Sequence, residues 1–283
     1  MIKVEQVSKY FKHHAVLDNI TLQIQPGEHI ALVGSNGAGK TTLIRCLLGE
    51  YRYQGTVTIG GLNPCSHRQT VLMQIGFVPQ LPPPLKMPVG QLIQFAAGVS
   101  QRDPQRIITL TQQLGLEVSN LLHRPFVKLS GGQKQKLLIG IALGRDNDIL
   151  ILDEPAANLD PPARQRFFEL LLARQQPAIT LISSHRLDEL ARLVNRVVEL
   201  DSGKIILDDR VADQLEGMSE WFCHLTVRYP ELALTNLLIH WQFIETNSGS
   251  WRGTIKNTDR LRFLSILSRY ASLLTQVSLT ETR

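Results

Sequence analysis

The sequence predicts an α/β fold: a largely parallel central sheet, an antiparallel β layer beside it, a helical insertion, and a small α+β unit at the C-terminal end. Three observations carry this. Near-continuous apolar runs at Ile30–Val33, Ile149–Leu152 and Ala178–Ser183 suit parallel strands covered on both faces. Between Leu81 and Lys136, Pro82-Pro83-Pro84 breaks structure and apolar spacing then turns helical. From Gly217 onward, short alternating stretches and helical stretches succeed one another as a second unit.

The elements follow in order. Ile2, Val4 and Val7, then Leu22 and Ile24, have the spacing of one strand face, and Pro26-Gly27 makes a turn. Ile30–Val33 reads as a buried strand, and Thr42–Leu48 has helical spacing closed by Gly49. Between them, Gly34-Ser35-Asn36-Gly37-Ala38-Gly39-Lys40-Thr41 fits the phosphate-loop template G-x-x-x-x-G-K-[ST] without a mismatch. Strand, glycine turn and helix start gather backbone N–H groups and the positive end of a helix dipole around one point. Lys40 adds a mobile charge and Thr41 a hydroxyl suited to magnesium, and Thr42, next in the chain, is expected among the binding residues. Gly55–Ile59 is a further short strand with Gly60-Gly61 as its turn.

Helices are expected at Val89–Ala97 and Pro104–Leu114, the second stopped by Gly115, inside an insertion spanning about 82–140. Val197–Leu200 and Lys204–Leu207 form a hairpin around Asp201-Ser202-Gly203. In the final unit, Cys223, Leu225 and Val227 mark a strand, and a helix runs from Pro230 to about His240. Trp241–Glu245 and Trp251–Ile255 are expected as two strands, with Trp241 and Trp251 anchoring the core. Leu261, Leu264, Leu267, Ala271 and Leu274 share a helical face, and Val277 and Leu279 close with a strand. The order βαββαβ is that of a ferredoxin-like module. The division expected is 1–216 for the first domain and 217–283 for the second.

The 283 residues carry 43% hydrophobic side chains, enough for a substantial core, and a net charge of +5 with no lysine- or arginine-rich run. That balance gives little support to a nucleic-acid partner. Three cysteines lie far apart without a C-x-x-C pair, so neither a zinc site nor a disulfide framework is suggested, and reduced thiols suit a cytosolic setting. Met1-Ile2-Lys3-Val4-Glu5 reads as a strand start rather than a secretion signal. No apolar run approaches the ~20 residues of a membrane helix, so any membrane span must come from another chain.

Two further motifs bear chemistry. Asp148–Glu154 is a buried strand ending in two acids, and strand ends in open α/β sheets lie beside the phosphate loop. Asp153 would hold magnesium, and Glu154 would act as general base toward water. Leu129-Ser130-Gly131-Gly132-Gln133 puts paired glycines at a helix start, open to close approach by phosphate.

With that stretch the chain, over residues 1 to about 215, resembles the ATP-binding cassette (ABC) ATPases, P-loop NTPases that drive ABC transporters. The resemblance implies ATP and Mg2+ as ligands. Ser130, Gly131, Gly132 and Gln133 become the signature motif, closing on the nucleotide of a second copy in a head-to-tail dimer. Gln80 matches the Q-loop glutamine beside magnesium and the attacking water, and His185 the switch histidine at the γ-phosphate. Asp160 matches the D-loop aspartate that meets the partner, and Phe11 the aromatic that stacks on adenine, with Tyr10 as the alternative. Two departures stand out: Ala157 where the D-loop usually has serine, and Ile141 where an arginine is frequent.

The N-G-A-G-K-T-T loop, the S-S-H switch and the extra C-terminal unit are similar to single-cassette subunits of ABC-2 type exporters. These work at the cytoplasmic membrane face with a separate integral membrane permease. Two readings compete: an importer ATPase, whose tail is usually a different, β-rich regulatory domain, and a soluble ABC ATPase acting on ribosomes or nucleic acid. Proteins of the latter kind carry two cassettes or long insertions, which this spacing does not accommodate.

Overall fold

A computed structural model describes residues 1–174, 179–185, 187–190, 193–210, 220–256 and 259–281. The expected domain boundary near 216 lies outside the described residues.

The N-terminal part comprises β1 (Ile2–Phe11), β2 (His14–Ile24), β3 (His29–Val33), α1 (Lys40–Leu47), β4 (Gln54–Ile59), α2 (Arg68–Met73) and β5 (Ile75–Val78). β2, β1 and β4 form an antiparallel sheet in that order. Val4 and Val7 are three residues apart yet both buried. A bulge between them reverses the alternation: Gln6 has φ 51°, and the ladder register shifts there. Gly55 accommodates it, since a Cβ at that position would stand 2.4 Å from the Gln6 carbonyl.

The insertion holds α3 (Val89–Ser100) and α4 (Pro104–Gln113), and α5 (Gly131–Gly144) leads back to the core. Asp103 caps α4, accepting the Gln105 N–H at 2.9 Å, with Pro104 in the first turn. The chain continues through β6 (Ile149–Asp153), α6 (Pro161–Leu172), β7 (Ile179–Ser183), α7 (Leu187–Leu190), β8 (Arg196–Asp201) and β9 (Lys204–Arg210). The central sheet runs β5-β6-β7-β3-β8-β9, parallel except for the β8–β9 hairpin.

The continuous apolar runs have a simple cause. Ile30, Leu32, Ile149 and Ile151 face one core, shared with α1 and the antiparallel sheet. Ala31, Val33, Leu150 and Leu152 face the other, shared with the insertion. Each fully buried Leu or Ile contributes roughly 1.5–3 kcal/mol, so both faces hold the sheet in register.

The C-terminal unit contains β10 (Glu220–Val227), α8 (Leu232–His240), β11 (Ile244–Asn247), β12 (Ser250–Lys256), α9 (Arg260–Leu267) and β13 (Leu274–Glu281). Its antiparallel sheet is ordered β11-β12-β10-β13, the arrangement expected of the βαββαβ order. Two details differ from expectation. Trp241 is not on a strand: it ends α8, donating to the Leu237 carbonyl at 3.0 Å, and Gln242 at φ 60° breaks the chain before β11. Its ring packs on Phe263, with centroids 5.0 Å apart, while Trp251 lies buried on β12. Leu274 is not helical; α9 tightens into a 3-10 turn over Ser268–Leu273, and Leu274 opens β13.

This unit rests against the central sheet. The core facing the insertion extends to Cys223, Leu225 and Phe263. Arg260 of α9 is fully buried, pairs with Asp209 of β9, and stacks its guanidinium 3.4 Å from the Trp221 ring centre.

Candidate functional site

The phosphate loop follows β3. Gly34 takes φ 144°, and a Cβ there would stand 2.2 Å from the Leu200 carbonyl of β8. Gly39, at φ 111°, is the N-cap of α1. The loop is packed backbone to backbone: the Val16 carbonyl would meet a Cβ on Gly39 at 2.9 Å and one on Gly203 at 2.6 Å. Gly203 N–H also donates to the Ala38 carbonyl at 3.0 Å. Lys40 is buried, its Nζ donating to the carbonyls of Gly34 at 2.6 Å and Ser35 at 3.1 Å. Burial pulls its ammonium below the usual pKa, while the charges of Glu154 and Asp153 oppose the shift.

Those acids sit at the end of β6, as strand topology requires. Ser183, one strand over, bridges them: its Oγ donates to Asp153 Oδ1 at 2.6 Å and accepts the Glu154 N–H at 2.9 Å. All three residues are buried. Glu154 adopts φ 47°, a left-handed conformation uncommon for glutamate. Its Oε2 lies 3.1 Å from His185 Nδ1, and the histidine is otherwise exposed. An open cleft of about 590 Å³ joins Phe11, the stretch Ser35–Thr42, Gln80 and Glu154. A second hollow of about 280 Å³ continues past Gln80 and Glu154 to Ala157 and His185. Phe11 lines the cleft; Tyr10 does not.

Among the described residues, no cluster of three His, Cys, Asp or Glu side chains is placed to hold a metal. The expected donors Thr41, Gln80 and Asp153 are oxygen donors and too few for a closed shell. That set fits magnesium completed by phosphate oxygens and water.

The signature residues stand apart from the cleft and do not line it. Ser130 and Gln133 form a capping box at the start of α5: Ser130 Oγ accepts from Gln133 N–H at 3.2 Å, and Gln133 Oε1 from Ser130 N–H at 3.0 Å. Gly131 has open space around it, and a Cβ on Gly132 would stand 3.1 Å from the Asn158 carbonyl. Asp160 caps α6 through Ala163 N–H and accepts from Lys136 Nζ at 2.8 Å. Buried Gln135 ties α5 to the Pro155 carbonyl at 2.9 Å. Neither Gln135 nor Lys136 is marked by any motif. Ser183 is legible only as part of Ser183-Ser184-His185, and its bridging role needs the β6–β7 pairing.

Comparison with known proteins agrees with this geometry. A family model described as "ABC transporter" matches residues 17–157. The Nod factor export ATP-binding protein I of Cupriavidus metallidurans is 32% identical, over 77% of this chain and 73% of that protein. The aliphatic sulfonates import ATP-binding protein SsuB 1 of Nocardia farcinica is 31% identical over 80% and 92%. A solved structure of an ATP binding subunit of an ABC transporter superposes with a TM-score of 0.67 at 25% identity, covering 74% of this chain and 90% of that one. The phosphate loop, the paired acids and these relatives together identify the chain as a member of the ATP-binding cassette family, an ATPase of the ABC transporter type.

Proposed function

We propose that this ATPase is the motor subunit of an exporter, peripheral to the cytoplasmic membrane face through a separate integral permease, and that two copies close head to tail on ATP. The single observation that carries the hydrolytic part is the Glu154–His185 pair in the hollow that adjoins the phosphate-loop cleft. Lys40 and the loop N–H groups hold the β- and γ-phosphates. Thr41, Asp153 and Gln80 would hold Mg2+, whose charge would offset that of the phosphate oxygens. Glu154 accepts a proton from the attacking water, and His185 holds the γ-phosphate with its remaining ring nitrogen. Phe11 stacks on the base. Ser130 to Gln133, unused within their own cleft, meet the partner's nucleotide, and Asp160 sits at the same interface. Among the described residues no helix is long and apolar enough to cross a membrane. The named relatives include both an export and an import protein; the α+β unit at the C-terminal end is what favours export.

The test is Glu154→Gln. ATP binding should persist, turnover should fall by roughly 10²–10⁴-fold, and ATP should drive the variant into a dimer visible by size-exclusion chromatography. Hydrolysis at the parent rate would remove Glu154 from the mechanism. A variant that binds ATP yet stays monomeric would count against the head-to-tail closure.

A further inference from the structure

Phe11 stands at the end of β1, where its cross-strand partner is His14 and the turn beyond begins with Lys12 at φ 54°. It is 42% exposed and belongs to neither core. A phenyl ring at a hairpin tip would sample several rotamers, and stacking a base on it would freeze them at an entropic cost. This ring has a brace. Tyr51 meets it edge to face, with centroids 5.3 Å apart and planes at 82°. Tyr51 is itself anchored: its ring packs on the core beneath α1, and its hydroxyl accepts from Arg45 Nη1 at 2.6 Å. Arg45 belongs to α1, the helix that the phosphate loop opens. Lys9 completes the frame. Its Nζ lies 4.9 Å from the Phe11 ring centre and 5.3 Å from that of Tyr51, and donates to the Arg52 carbonyl at 2.8 Å.

We propose that Tyr51 is a positioning residue for the base: it fixes the Phe11 ring against the cleft, in register with the helix that carries the phosphate loop. This role rests on the reading of Phe11 as the base-stacking ring. Tyr51 touches no nucleotide; it lowers the cost of stacking by holding Phe11 in the bound rotamer beforehand. The base and the phosphates are thereby aligned through one rigid path, Phe11–Tyr51–Arg45–α1.

The experiment compares ADP with inorganic pyrophosphate by calorimetry on the full chain, because only ADP carries a base. Tyr51→Leu should weaken ADP roughly three- to tenfold, the range that freezing one side chain spans. It should leave pyrophosphate affinity unchanged and raise the KM for ATP at constant kcat. Tyr51→Phe, which keeps the ring against Phe11 but loses the hydroxyl that accepts from Arg45 Nη1, should weaken ADP less than Tyr51→Leu does and again spare pyrophosphate. In a Phe11→Ala background, Tyr51→Leu should have no further effect. Equal losses for ADP and pyrophosphate would make Tyr51 a support of α1 and overturn the proposal, as would no loss for ADP. If Phe11→Ala weakens ADP while Tyr51→Leu does not, the positioning role alone falls. If Phe11→Ala leaves ADP affinity unchanged, the base-stacking reading falls with it.

Discussion

The smallest unit of the site is a hydroxyl. Ser183 places one hydrogen bond on the Asp153 carboxylate and receives one from the backbone of Glu154, so a single side chain sets the spacing of both acids. Hydrogen bonds to buried charged groups are worth about 1.5–3 kcal/mol, and removing one partner leaves the carboxylate less satisfied. Ser183→Ala should therefore lower the thermal midpoint by several degrees. It should also raise the Mg2+ concentration needed for half-maximal ATP hydrolysis, since Asp153 is no longer oriented. A magnesium titration of ATPase rate checks this; an unchanged midpoint and magnesium requirement would mean the bridge is idle. At this scale the sequence is highly legible where spacing is local. Gly34–Thr42 needs no tertiary knowledge, because strand, turn and helix are contiguous. Tyr51 is not legible, because its relation to Phe11 is created by the pairing of β1 with β4 and by α1 beneath it.

At the scale of elements, α5 shows how glycines set a packing distance. Gly140 and Gly144 lie one turn apart and face α4. A Cβ on Gly140 would stand 2.0 Å from Thr111 Oγ1, and one on Gly144 2.6 Å from Ile107 Cγ1. Thr111 is fully buried and bonded to the Ile107 carbonyl at 2.7 Å, so it has no room to turn away. Gly140→Ala should cost about 1–3 kcal/mol through overpacking, outweighing the gain of up to ~1 kcal/mol in helix propensity. Gly98 of α3 has nothing within 4 Å of a built Cβ. Gly98→Ala should stabilise by about 0.5–1 kcal/mol. Opposite shifts in the two thermal midpoints check the pair. Helix existence in the insertion was legible from apolar spacing and from the stop at Gly115; the Asp103 cap was not read. The Trp241 error has a local cause: an aromatic next to a β-like stretch resembles a strand residue, and the left-handed turn at Gln242 carries no glycine to announce it.

For the whole molecule, the β8–β9 hairpin stands between the two ends of the described chain: β2 and β13 both pack against β9. The hairpin carries buried acids. Glu199 is pushed up to about 7 by burial, with the Asp201 charge adding to the shift. An acid whose folded pKa lies above its unfolded value stabilises the fold while protonated. That contribution is full below pH ~4.5 and is lost as pH rises through ~7. Glu199→Gln cannot ionise, so its thermal midpoint relative to the parent should climb by several degrees between pH 5 and pH 8. A constant difference across that range would show that Glu199 titrates normally. Asp209, on the same hairpin, is raised to about 6, chiefly by burial and against the pull of Arg260. The parallel core, the antiparallel layer and the insertion were visible in periodicity, and so was the order of the C-terminal elements. Their docking was not, because Asp209 and Arg260 are 51 positions apart and neither sits in a motif. The other end of that hairpin has a hereditary consequence. Where Val16, Gly39 and Gly203 meet, three segments distant in sequence leave no space for even a methyl group. Mutational tolerance there is shared: a library selected for nucleotide retention should be depleted of substitutions at Gly203 as strongly as at Gly39. Inspection by motif would score the first as an ordinary turn glycine, while the protein treats it as part of its phosphate loop.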